Sequence, residues 1–145
     1  MKPEDVPQGP LLVDTDVFSF LLTGRDPGPL FEPLVDGHQF VLSFAVVGEL
    51  RAGAFKASWG QPRVEALERR IRMCVVMNPT NDISTHYGRI HAECRDQLKK
   101  DGSNDMWTAA CSLSQTPPIP IVTNNRSDFE IVAAKFPIVI VHPDI

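Results

Sequence analysis

The sequence predicts an α/β protein, with a central parallel sheet of about five strands and helices on both faces. Three observations support this. Five short runs, LLVD (11–14), QFVLSF (39–44), CVVMN (74–78), IPIVT (119–123) and IVIV (138–141), are apolar without strict alternation, as strands covered on both faces are. Segments of helical character lie between them, the arrangement that yields parallel strands joined by crossover helices. The chain also has 145 residues, 43% of them hydrophobic. One domain of that size buries roughly 70% of its unfolded surface and folds without a disulfide or structural metal.

Taken in order, residues 1–10 (MKPEDVPQGP) read as a flexible lead-in and residues 11–145 as the domain. After the first strand, VFSFLLTG (17–24) is helical and ends at Gly24, with Phe18, Phe20 and Leu21 packing it; DPGP (26–29) breaks the chain. LFEPLVDG (30–37) suggests a short, interrupted helix. Ser43 closes the second strand as a helix cap, and the next helix runs from about Ala45 through VVGELRAGAFKA. Pro62 suits the first turn of PRVEALERRIRM. Ile83, Tyr87, Ile90 and Cys94 recur at helical spacing through residues 82–100. DGSN interrupts, and a helix over 105–115 follows with Ser103 or Asn104 as its cap. DFEIVAAKF (128–136) is a last short helix before the final strand.

The net charge of −4 argues against a protein that grips nucleic acid by bulk charge. No apolar stretch is long enough to span a bilayer, and the polar, proline-rich start is unlike a signal peptide. Cys74, Cys94 and Cys111 are odd in number and widely spaced, so they read as reduced thiols in a cytoplasmic setting. His38, His86, His91 and His142 show no metal-ligand spacing.

Two carboxylates interrupt the apolar stretch LLVDTDVFSFLL. In open parallel sheets, ligands sit beyond the carboxyl ends of the strands, and four acids fall on that edge. Asp14 ends the first strand. Glu49 lies about one turn into the helix after the second. Asp105 opens its helix, and Asp128 follows the fourth strand with Asn125 close by. Singly, each has a structural explanation: a turn at Asp14, a pairing of Glu49 with Arg51, a dipole contact at Asp105, a cap at Asp128. These explanations are independent of one another and do not account for all four meeting at one edge. Gathered carboxylates repel unless a cation neutralises them, and an oxygen-only set selects a hard ion, Mg²⁺ or Mn²⁺.

In order and spacing, LLVDTDVF, VVGELRAG, NDMWTAA and IVTNNRSDFE resemble the PIN-domain nucleases, and most closely the VapC-type toxins of toxin–antitoxin pairs. The resemblance covers the chain from Leu11 onward. It implies a single PIN-like domain in which Asp14, Glu49 and Asp105 are metal ligands and catalytic. Asn125 or Asp128 fills the fourth acidic position, Thr15 and Thr123 are flanking hydroxyls, and Asp16 stands where Asn is frequent. Thr108 occupies a packing position where Ile is commoner. By the same likeness the activity is metal-dependent endoribonuclease cleavage with Mg²⁺ or Mn²⁺. Hydroxide attacks in line and leaves a 5′-phosphate and a 3′-hydroxyl. The partners are an RNA substrate, a cognate antitoxin and a second copy of the chain.

An acidic site needs cations nearby to receive RNA. The tract after Glu49, from Arg51 and Lys56 through Arg63, Arg69, Arg70 and Arg72, supplies them or is simply a solvated helix face; Lys99 and Lys100 are read the same way. Trp59 and Trp107 are stacking candidates, although Trp107 shares helical spacing with Cys111 and reads as core. Two alternatives stand. DTDV resembles the nucleophile motif of haloacid-dehalogenase-type phosphatases, but no suitably placed Lys and no cap domain accompany it. A catalytically silent PIN-like RNA-binding module is the other, against which the chain keeps all three acids.

Overall fold

The fold is seen in a computed structural model, which describes residues 1–99 and 102–145; Lys100, named above, lies outside them. Five strands, β1 (Leu11–Val13), β2 (Phe40–Ser43), β3 (Val75–Met77), β4 (Ile121–Val122) and β5 (Ile140–Val141), form one sheet in the order β3-β2-β1-β4-β5. Every pairing is parallel, with Leu12 of β1 beside Val41 on one side and Ile121 on the other.

Among the described residues, seven α-helices connect and cover the sheet: α1 (Thr15–Thr23), α2 (Gly28–Val35), α3 (Phe44–Lys56), α4 (Gln61–Arg72), α5 (Asn81–Cys94), α6 (Ser103–Leu113) and α7 (Arg126–Ala133). Successive strand residues point to opposite faces, so the sheet feeds two cores. Leu11, Val13, Leu42, Val122 and Val141 pack with the apolar sides of α1 to α4, while Leu12, Val41 and Ile121 pack with α5 to α7. Among the described residues no helix is long and apolar enough to cross a membrane.

Several boundaries differ from expectation for local reasons. Helix α1 begins at Thr15 rather than Val17, because Asp14 is extended and its own carboxylate accepts the Thr15 N–H at 2.9 Å. An aspartate cap lets helix follow strand without a loop. Helix α2 begins inside DPGP, at Gly28. A Cβ there would stand 2.8 Å from the Phe20 carbonyl oxygen, so glycine lets α2 fold back against α1. Neither Ser103 nor Asn104 caps α6. That position belongs to Gly102, and both residues lie within the helix. The long helix expected over 82–100 ends at Cys94 and tightens into a 3₁₀ turn at Arg95–Gln97. Helix α7 starts at Arg126, which puts Asp128 in its first turn. Within 1–10, Pro3–Asp5 forms a 3₁₀ turn and Val6 is buried in the core.

Ser43 caps α3 as expected, accepting the Val46 N–H at 3.2 Å. Its hydroxyl also meets that of Thr108 on α6 at 3.1 Å, and both residues are fully buried. This pair ties the start of α3 to α6. Ser43→Ala is therefore expected to destabilise the fold by about 1–2 kcal/mol, through loss of a cap and of a buried partner. Urea denaturation checks this, with an unchanged m-value expected.

Candidate active site

The chain leaves β1 toward β2 and β3, then returns to β4 on the other side of β1. The reversal in strand order opens a crevice at the carboxyl ends of β1 and β4, the usual ligand position in open α/β sheets. Asp14 follows β1 directly and Thr123 follows β4. The Thr123 hydroxyl donates to the second carboxylate oxygen of Asp14 at 2.8 Å and accepts the Asn125 N–H at 2.9 Å. Asp14 is only 6% exposed.

Glu49 comes from the second turn of α3, and its carboxylate accepts the Thr15 hydroxyl at 3.0 Å. Asn104, at the start of α6, lines the same cavity as Glu49. Asp105 is next along α6 and accepts from the Asn125 side-chain amide at 2.9 Å. The same amide donates to Asp128 at 3.2 Å. Asp14, Glu49 and Asp105 thus line one cavity of about 200 Å³, joined by Thr15, Asp16, Asn104 and Asn125. No lining residue is basic, and none is His or Cys.

The expected residues take different places around this cavity. Asn125 lines it, whereas Asp128 is buried behind Asn125 and does not. Asp16 lies on the exposed rim. Arg51 pairs with Glu68 rather than Glu49, through two contacts of 2.8 and 3.2 Å, and neither Arg51 nor Lys56 lines the cavity. Trp107 is half-buried at the core edge, stacked on Tyr87 with ring centres 3.8 Å apart. Asn104 is the site residue that sequence reasoning missed. An amide beside an acid, at a helix start on the carboxyl edge of a sheet, was the available signal.

The charges explain the chemistry. Burial raises Asp14 above the usual carboxylate range, opposed by its bonds to Thr123 and Thr15. Burial likewise raises Glu49, with the charges of Asp14 and Asp16 adding to it. Asp105 is pushed from 3.8 to about 7, first by burial and then by Asp14, Asp128 and Glu49, against the Asn125 bond. Such a cluster favours any cation that enters. Among the described residues no three His, Cys, Asp or Glu side chains stand close enough to form a ready-made coordination shell. The donor set is nonetheless all oxygen, and Mg²⁺ keeps several waters and takes only one or two carboxylates directly. An open oxygen-lined cavity suits a hydrated hard cation better than a closed cage would.

This sheet, with acids gathered at its switch point, has clear relatives. Residues 11–135 match the PIN domain family, and the chain belongs to that family. Ribonuclease VapC1 of Haemophilus influenzae strain R2866 is 28% identical over 122 residues, covering 82% of this chain and 89% of that protein. The structure of VapBC-1 from nontypeable Haemophilus influenzae shares the fold with a TM-score of 0.73 at 24% identity, covering 94% of this chain and 99% of that one. DNA-bound VapBC from Salmonella typhimurium shares it with a TM-score of 0.72 at 23% identity, covering 92% and 98%.

Because the folded pKa of Asp105 is raised, its ionisation destabilises the metal-free fold. The contribution of Asp105 to stability is therefore fully present below about pH 4 and is lost as pH rises through about 7. Asp105→Asn should stabilise the protein at pH 8 in EDTA by on the order of 1–2 kcal/mol, with little effect at pH 4. Urea denaturation at the two pH values measures the difference.

Proposed function

We propose that this chain is a metal-dependent endoribonuclease and the toxin of a toxin–antitoxin pair. The observation that carries this reading is the meeting of Asp14, Glu49 and Asp105, from three distant segments, in one cavity without a basic lining residue. Its support from relatives is the similarity to Ribonuclease VapC1 and to the VapBC fold. On this reading the chain works in the cytoplasm, cuts RNA, pairs with a second copy of itself and is silenced by a cognate antitoxin.

Asp14, Glu49 and Asp105 would hold Mg²⁺ or Mn²⁺, with Asn125 completing the site. When bound, such an ion supplies Lewis-acid polarisation of a phosphodiester oxygen and lowers the pKa of a water. The chain's own residues set the geometry. Thr123 and the Thr15 N–H each hold one oxygen of Asp14. Thr15 orients Glu49. Asn125, braced by Asp128, orients Asp105. Asp128 acts through Asn125 and is a positioning residue.

The phosphatase alternative has less support. Both oxygens of Asp14 accept hydrogen bonds, and no Lys lines the cavity. A silent binding module would have no use for three acids kept together at an electrostatic cost.

The test is incubation of the purified protein with total RNA, with and without Mg²⁺ or Mn²⁺, followed by mapping of the cut ends. Cleavage should leave 5′-phosphates and stop in EDTA. Asp14→Asn and Asp105→Asn should each lower the rate on the order of 100-fold or more while circular dichroism stays unchanged. Cutting that persists in excess EDTA refutes the proposal.

A further inference from the structure

A second cavity, of about 300 Å³, lies between α1, α3 and α4 and shares Thr15 and Glu49 with the acidic one. Its lining includes Arg25, just after α1, and Trp59 and Arg63 at the junction of α3 and α4. The Arg63 guanidinium stacks over Trp59, 4.3 Å from the ring centre. Leu22, Leu50 and Leu67 supply apolar lining. Among the described residues neither Arg25 nor Arg63 carries a salt bridge, whereas Arg51 is tied to Glu68 and Arg126 to Glu130. Arg25 likewise lies over the Phe20 ring, 5.3 Å from its centre, so positive charge without an acidic partner adjoins a cavity whose own lining is acidic.

Resting on the ribonuclease reading, we propose that this second cavity is the subsite for the nucleotide next to the scissile phosphodiester. Arg25 and Arg63 take the phosphates on either side of that nucleotide, and its base lies on the Arg63–Trp59 stack. A polyanion crossing Asp14, Glu49 and Asp105 is repelled there and needs compensating charge within a nucleotide's length. The shared wall of Thr15 and Glu49 provides that continuity. Guanidinium planes and aromatic rings accept any base by stacking, while the apolar lining shelters the base from water. An acidic, leucine-rich peptide is the competing occupant. RNA is favoured because two cations beside an anionic catalytic cavity match a chain that carries one charge per nucleotide.

The test uses the full chain with Asp105→Asn, the variant expected to slow cleavage on the order of 100-fold or more. A labelled single-stranded RNA is titrated by fluorescence anisotropy in Mg²⁺ over a series of salt concentrations. Arg25→Ala and Arg63→Ala are each expected to weaken binding and to flatten the plot of log K against log salt by about 0.7, the value of one phosphate contact on a single strand. Arg25→Lys should restore the slope. Moving one abasic site along the RNA should lower affinity at a single position, and Arg63→Ala should abolish that penalty. Both arginines are exposed, so their replacement leaves the fold intact. Unchanged affinity and slope in both alanine variants, with an active parent enzyme, overturns the subsite alone. Unchanged RNA binding together with escape from inhibition by a co-expressed antitoxin overturns it in favour of a peptide occupant. A parent that neither cuts nor binds RNA removes the ribonuclease reading and the subsite together.

Discussion

Like charges held close in a poorly solvated cavity are the constraint on which the rest of this structure depends. Asp14, Glu49 and Asp105 share one small opening, and each is harder to ionise than a carboxylate in water. Left alone, the cluster would swing apart or take up protons. It is held by neutral donors: the Thr123 and Thr15 hydroxyls, the Thr15 N–H and the Asn125 amide. None of these donors cancels the charge, so the attraction for an incoming cation survives. Lysine or arginine in the same places would have quenched it.

The scaffold makes the gathering possible. A parallel sheet puts the carboxyl ends of β1 and β4 side by side, and both strands run into helices with little or no loop. Asp14 is at once the end of a strand, the cap of α1 and a wall of the cavity. Ser43 joins β2 to α3 in the same way, and its contact with Thr108 couples the helix bearing Glu49 to the helix bearing Asp105. A buried hydroxyl pair, far less conspicuous than the acids, thereby ties together the two helices that carry them.

The surrounding charge follows from the same constraint. With a net charge of −4, the protein cannot attract a polyanion through its overall field. Attraction has to be local, and the arginines differ in how available they are. Arg51, beside Glu49 in sequence, is engaged by Glu68. Arg25 and Arg63 line a cavity that shares Thr15 and Glu49 with the acidic one, although their positions in the chain give little hint of it.

Much of the fold was legible because apolar runs without alternation, separated by helical periodicity, have few other physical solutions. The five strands, the Ser43 cap and the acids at the carboxyl edge belong to that part. Local caps were less legible. Asp14 starts its helix at once, and Gly102 rather than Ser103 or Asn104 precedes α6, because cap identity depends on backbone angles that composition does not specify. Which of Asn125 and Asp128 lines the cavity was beyond sequence altogether. They are three residues apart on one turn, and only the packing of α7 turns the amide toward the cavity and places the acid behind it. Sequence by itself determined which side chains carry hard oxygen donors and which edge would carry them, since both follow from donor chemistry and strand direction. Tertiary structure alone decided which of them line one cavity, which arginines lack a salt bridge among the described residues and which residues the two cavities share, because those depend on contacts between segments far apart in the chain.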